Sequence, residues 1–246
     1  MTEPGSDADS VAERRGELAA YLAALRSRID GVCAKAGRNP AALTLIAVTK
    51  TFPATDVRLL AGLGIRDVGE NRDQEAAPKQ RACQGLGLRW HFVGGLQRNK
   101  CRSVARYADV VHAVDRPELI TALSAAAVAA DRSIEALVQV CLDVEQPGGT
   151  GRSGAAPEIV GQLGDAIAAA PGLTLAGVMA VAPLGADPEP AFERLAEISS
   201  RLQSAHPGAT VISAGMSADL DAAIRQGATH LRVGTALLGR RSGLVG

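Results

Sequence analysis

Aromatic residues are scarce: one Trp, two Tyr and three Phe make up 2% of the 246 residues. A core without aromatic bulk has to be filled by alanine and aliphatic side chains, which supply nearly all of the 47% hydrophobic content. Net charge is absent as well, with 26 Lys and Arg against 26 Asp and Glu. A polyanion or an anionic membrane surface therefore finds no electrostatic footprint, and nucleic-acid binding is not expected. No apolar run approaches the roughly 20 residues that span a bilayer, and Met1–Ser10 lacks the apolar centre of a secretion signal. A soluble, cytoplasmic protein is expected. The four cysteines, Cys33, Cys83, Cys101 and Cys141, are far apart with no CxxC pair, which argues against a disulfide framework or a zinc site and for reduced thiols. His91, His112, His206 and His230 are equally scattered and no HExxH occurs, so a metal is not expected.

What the sequence does contain is a regular alternation. Residues 1–12 read as a disordered lead-in. A helix follows, with Leu18, Leu22, Leu25, Ile29 and Val32 on one face, and Gly37 and Pro40 end it. Eight β-rich runs come next: Leu45–Lys50, Arg66–Gly69, Trp90–Gly94, Val110–Val114, Ala136–Leu142, Thr174–Met179, Thr210–Ser213 and His230–Gly234. Stretches with helical spacing separate them, for example Phe192, Leu195, Ile198 and Leu202. Pro117 after a possible Asp115 cap marks one helix start. Alternating strands and helices imply parallel strands with right-handed crossovers. Eight such units in one chain of this length favour a single (β/α)8 barrel, spanning 13–239, over an open doubly wound sheet. The eighth helix would be one short turn, a gap that the N-terminal helix can fill. Residues 240–246 read as a flexible tail.

In such a barrel the functional groups gather at the C-terminal strand ends, with phosphate sites near the seventh and eighth. Alternation places Ile46, Val48 and Lys50 on one face of the first strand. If that face points inward, Lys50 enters the mouth of the lumen, where desolvation favours a neutral, nucleophilic amine. Otherwise it is a strand-end lysine reaching solvent. On the eighth strand Leu231 and Val233 must face the helices, which turns His230 and Arg232 inward. A guanidinium there needs an anionic ligand, or else a salt bridge to Glu70 or Asp67. Because the barrel closes by pairing the eighth strand with the first, Lys50 and Arg232 become neighbours. Ser213-Ala214-Gly215-Met216-Ser217 leads into a helix expected over Ala218–Gln226, where Gly215 admits close backbone approach and Ser217 is a ligand or an N-cap. Gly234 and Thr235 form a second such turn. Gly149–Gly154 formally matches GxGxxG, but it lacks the setting of a dinucleotide fold and reads instead as a loop over the mouth, with Arg152 available to an anion.

Taken in order, seven stretches resemble the YggS/PROSC-type pyridoxal phosphate homeostasis proteins. They are Ala47–Lys50, Gly69–Arg72, Trp90–Gly94, Leu96–Lys100, Gly177–Met179, Ser213–Ser217 and Arg232–Ala236. Gly95, where the family usually has Pro, and Ala214, where it usually has Met, depart from the pattern. The resemblance implies a monomeric or weakly dimeric barrel like the N-terminal domain of alanine racemase, with pyridoxal 5′-phosphate (PLP) held as a Schiff base on Lys50. It further implies that Arg232 meets the pyridine nitrogen, that Ser213, Ser217, Gly234 and Thr235 hold the phosphate, and that Asn71 and Met216 line the site. An arginine at that nitrogen weakens the ring as an electron sink, and racemisation needs a second acid/base. Neither Tyr21 nor Tyr107 is expected at the mouth, and the length leaves no room for a second domain. A non-catalytic protein that buffers PLP or delivers it to apo-enzymes follows, ahead of a minimal racemase or lyase using water or His230, or a barrel that binds some other phosphorylated metabolite.

Overall fold

The computed structural model describes residues 5–143 and 154–239, apart from the side chains of residues 5–8. Eight parallel strands close into a barrel in chain order. They are β1 (Thr44–Val48), β2 (Asp67–Glu70), β3 (Arg89–Phe92), β4 (Val110–Val114), β5 (Ile134–Gln139), β6 (Leu173–Met179), β7 (Val211–Ser213) and β8 (His230–Val233). The fold is the expected (β/α)8 barrel, and every expected strand is found with its ends moved by a few residues. Around it lie α1 (Gly5–Lys35), α2 (Ala54–Gly62), α3 (Asp73–Ala82), α4 (Cys101–Val104), α5 (Pro117–Ala129), α6 (Val160–Ala168), α7 (Pro188–Ala205), α8 (Leu220–Arg225) and α9 (Thr235–Leu238).

Closure sets Ile46 against Arg232 across β1 and β8, and Val48 against Gly69 across β1 and β2. Ala47, Val68, Val111, Leu231 and Val233 are fully buried between barrel and helices. This alternation of faces is the period of two that strands impose. The lumen is less ordinary. Bulky aliphatics usually fill a barrel of this kind, whereas here His91, His112, Ser213 and Arg232 are buried inside it.

The eighth helix, α9, is a single turn, and α1 packs against α9, α8 and α2. Its buried face is Leu18, Leu22, Leu25 and Ile29, completed by Cys33 rather than by the half-buried Val32. Arg14 ties α1 to α2 and α9, donating to Asp56 at 2.7 Å and to the Leu238 carbonyl at 3.0 Å. Three expectations need correction. Residues 5–12, expected to be disordered, continue α1, where Asp9 suits the positive end of a helix. Asp115 does not cap α5: Arg116 stands at the cap, with Asp115 paired to it at 2.6 Å. The helix expected over Ala218–Gln226 is the shorter α8. Among the described residues no helix is long and apolar enough to cross a membrane. The tail at 240–246 lies outside the described residues.

Candidate functional site

A cavity of about 660 Å³ opens at the C-terminal mouth of the barrel. Lys50, Asn71, Met216, Ser217, Arg232, Gly234 and Thr235 all line it. These seven come from strands and turns spread over most of the chain, and the β1–β8 closure brings them together.

Lys50 arrives by a different route from the one expected. β1 ends at Val48, and Thr49 is fully buried with its hydroxyl donating to Glu70 Oε1 at 2.6 Å. Lys79 Nζ donates to the same Glu70 oxygen at 2.5 Å and to the Thr49 carbonyl at 2.8 Å. On the other side Thr51 takes a left-handed φ of +67°, and its N–H donates to Glu75 Oε2 at 2.9 Å. The chain is thus pinned immediately before and after Lys50, whose exposed side chain stands at the rim of the cavity. It is not a desolvated lumen lysine. Burial holds the Glu70 carboxyl above the usual range despite the opposing pull of Lys79 and Thr49.

Arg232 faces inward as expected and is 5% exposed. It donates from Nη1 to Ser213 Oγ at 2.7 Å and from Nη2 to the Ala180 carbonyl at 2.8 Å. The rest of its donor fork is left for the cavity. Neither carboxylate considered as its partner pairs with it: Glu70 holds Lys79, and Asp67 holds His91. Burial lowers the guanidinium to about 10, with Asp219 opposing, so it remains a cation at neutral pH. A buried cation without an adjacent carboxylate is costly unless a ligand or a hydrogen-bond network offsets it. Ser213 lies one layer deeper than expected. It is fully buried, does not line the cavity, and joins Arg232 to His112 Nδ1 at 3.0 Å.

Asn71 contributes a further unmet valence, since its Oδ1 is buried and accepts no hydrogen bond. Gly94 lets the segment after β3 close over it, because a Cβ there would collide with the Asn71 carbonyl oxygen. The two turns at the ends of β7 and β8 are joined directly. Ser217 Oγ accepts the Ala236 N–H at 3.2 Å, so Ser217 serves α9 rather than capping α8. Gly215 has φ +87°, and a Cβ there would lie 2.7 Å from that of Ala223. Thr235 opens α9, where the helix gives its N–H no partner.

Along β1, Arg232 sits level with Ile46, two residues before the strand ends at Val48 and four before Lys50. A ligand with an aldehyde, a ring acceptor and an anionic group fits this arrangement. The amine is at the rim, the cation at the base, and the glycine turns lie at one side. Neither tyrosine lines the cavity: Tyr21 packs on Gly239, and Tyr107 is buried with its hydroxyl pushed up by burial and by Asp73. His230 opens β8 level with Thr44, at the opposite end of the barrel. Gly149 to Ser153, including Arg152, lie outside the described residues.

Sequence reasoning missed Glu70, Lys79, His91 and His112 as parts of this assembly. The signal for the histidines was available: His91 shares the polar face of β3 with Arg89, and His112 is the one polar residue of β4, each opposite the helix-packing side. Far from being scattered, His91 and His230 have ring centroids 6.4 Å apart, and His91 and His112 5.2 Å. Among the described residues no three His, Cys, Asp or Glu side chains are grouped as metal ligands.

The profile described as alanine racemase, N-terminal domain, matches residues 21–242. The pyridoxal phosphate homeostasis protein of Mycobacterium tuberculosis H37Rv is 41% identical, over 96% of this chain and 97% of its own. That of Pseudomonas aeruginosa PAO1 is 40% identical, over 91% and 96%. Among solved structures, PipY of Synechococcus elongatus PCC7942 with PLP bound superimposes with a TM-score of 0.78 at 34% identity, over 90% of this chain and 100% of that one. The chain therefore belongs to the alanine racemase N-terminal-domain family and, within it, to the pyridoxal phosphate homeostasis proteins.

Proposed function

We propose that this protein binds PLP at the barrel mouth, tethered to Lys50, and serves PLP homeostasis by buffering the cofactor or delivering it to apo-enzymes, without a turnover of its own. The observation that carries the proposal is the convergence in one open cavity of an exposed amine, an unpartnered amide oxygen and a buried guanidinium with unspent donors. PLP supplies an aldehyde that condenses reversibly with a primary amine. Lys50 presents that amine at the rim, and the Glu70–Lys79 pair and Glu75 hold its turn. Arg232 directs its donors at the ring nitrogen. As a cation it donates a hydrogen bond and keeps its proton, which leaves that nitrogen unprotonated. Ser217, Gly234 and Thr235 take the phosphate, Asn71 and Met216 flank the ring, and Ser213 supports Arg232 from below.

The unit proposed for this role is the barrel of residues 13–239, acting as a monomer in the cytoplasm. A racemase or lyase is less well supported, because neither tyrosine lines the cavity and His230 lies at the far end of the barrel. Borohydride reduction of PLP-saturated protein, followed by peptide mass analysis, is expected to place a pyridoxyl group on Lys50. An unmodified Lys50 would sink the proposal. Solvent-hydrogen exchange at the Cα of added amino acids at enzyme-like rates would overturn the carrier reading while leaving the tether intact.

A further inference from the structure

A single hydrogen-bonded chain crosses the lumen from the base of the cofactor cavity to the other end of the barrel. Arg232 Nη1 donates to Ser213 Oγ at 2.7 Å. Ser213 Oγ and His112 Nδ1 are 3.0 Å apart. His112 Nε2 and His91 Nδ1 are 2.9 Å apart, and His91 Nε2 lies 2.9 Å from Asp67 Oδ1. All but Asp67 are buried; its side chain is 20% exposed and borders a second cavity of about 440 Å³ below the barrel, with Arg26, Asp30 and Arg66.

The end groups fix the direction of every bond. A guanidinium only donates, so Ser213 Oγ accepts from it. A carboxylate only accepts, so His91 Nε2 carries a proton. Between them three arrangements are open. In one, both imidazoles are neutral: His112 is protonated at Nε2 and accepts the Ser213 hydroxyl proton at Nδ1. In the second, His91 is doubly protonated and His112 carries its proton on Nδ1; in the third, His112 is doubly protonated. Each of the last two adds a cation inside a lumen that already holds Arg232. Burial depresses the protonation of His112, and His91, Arg232, His230 and Arg89 add to it. The first arrangement leaves no group in the chain unsatisfied and no new charge.

We propose that Asp67, His91, His112 and Ser213 are positioning residues for the cofactor-facing guanidinium of Arg232, joined in a chain whose donors all point from Arg232 toward Asp67. The negative charge acting on Arg232 is that of Asp219, and Asp67 closes the chain as its terminal acceptor. The Asp67 carboxylate stays four hydrogen bonds from Arg232, too far to protonate the ring. The chain would orient Arg232 while keeping acidic groups away from the ring nitrogen. This use of the chain rests on the PLP-binding proposal; its polarity does not.

The test has two parts. Nitrogen-15 NMR of the imidazoles in PLP-free, full-length protein is expected to find His91 and His112 both neutral and protonated at Nε2. A proton on His112 Nδ1 would overturn the chain whether or not PLP binds. In the PLP-loaded protein, His112→Phe breaks the chain and His112→Gln can restore a donor and an acceptor. The Phe variant is expected to weaken PLP binding roughly tenfold, the scale of one charge-assisted hydrogen bond, and to move the pH midpoint of the bound cofactor's absorption. The Gln variant is expected to recover part of both. If Phe does not fold, Asp67→Asn, which keeps the acceptor but removes the charge, is expected to shift the same midpoint. A folded Phe or Asn variant with wild-type affinity and midpoint would overturn the positioning role. Failure of the Lys50 adduct in wild-type protein would instead sink the PLP proposal and leave the NMR result standing.

Discussion

Lys79 does not line the cavity, yet it holds the Thr49 carbonyl and Glu70 one residue before Lys50. Both partners are nearly fully buried, so removing one leaves the other without compensation, at a cost of about 3 kcal/mol or more. Lys79→Met is therefore expected to lower the urea midpoint and weaken PLP retention together, as the Lys50 turn loosens. The loss has a pH signature. Glu70 is already held above its ordinary value of 4.5, so the folded protein is the better proton binder at this site, and the cost of burying the carboxylate grows as pH rises. Without Lys79 that carboxyl is pushed higher still. The stability deficit of the variant should be larger near about pH 8 than near about pH 5; urea unfolding at both, with a constant difference, would refute the account. Arg232 was legible in the sequence because β8 alternates cleanly between apolar and polar residues. His91 and His112 obey the same alternation, but their partnership depends on the stagger of strands around the barrel. A one-strand reading carries no such information.

At the scale of elements, the strand–helix alternation was legible throughout, because hydrophobic spacing is a local property. The ends were less so. β1 reads on through Thr49 and Lys50 because a β-branched residue continues the pattern. The strand in fact stops where Thr49 turns its hydroxyl to Glu70 and Thr51 goes left-handed. Helix α1 illustrates the opposite case, a role inferred from what the eighth unit lacks. Its contribution is apolar packing against α2, α8 and α9. Leu18 is fully buried, so Leu18→Ala should cost about 2–5 kcal/mol. Arg89→Ala, which breaks an ion pair with Glu135 whose members are each more than one-third exposed, should cost less than about 1 kcal/mol. Chemical unfolding that ranked the two the other way would argue that α1 is not part of the cooperative barrel.

For the whole molecule, the site is inseparable from closure. Lys50 follows β1, Arg232 belongs to β8, and the two glycine turns follow β7 and β8. A ligand held across these elements fastens the seam at which the first and last strands meet. Whatever binds the closed barrel and not the unfolded chain stabilises it by mass action, by about 2.7 kcal/mol at a hundredfold excess over Kd. For a domain of this size that corresponds to a rise in Tm of roughly 5–11 °C. PLP is expected to produce such a rise in the wild-type protein, increasing with concentration. Lys50→Ala removes the tether but keeps Arg232, Asn71 and both glycine turns, so it should show a smaller rise that needs more PLP. Arg232→Ala removes the buried cation together with its bonds to Ser213 and the Ala180 carbonyl, so it should lower the PLP-free Tm and also reduce the response to PLP. The response distinguishes a ligand site from a structural network. If Arg232 served the fold alone, its loss would leave the increment from PLP untouched.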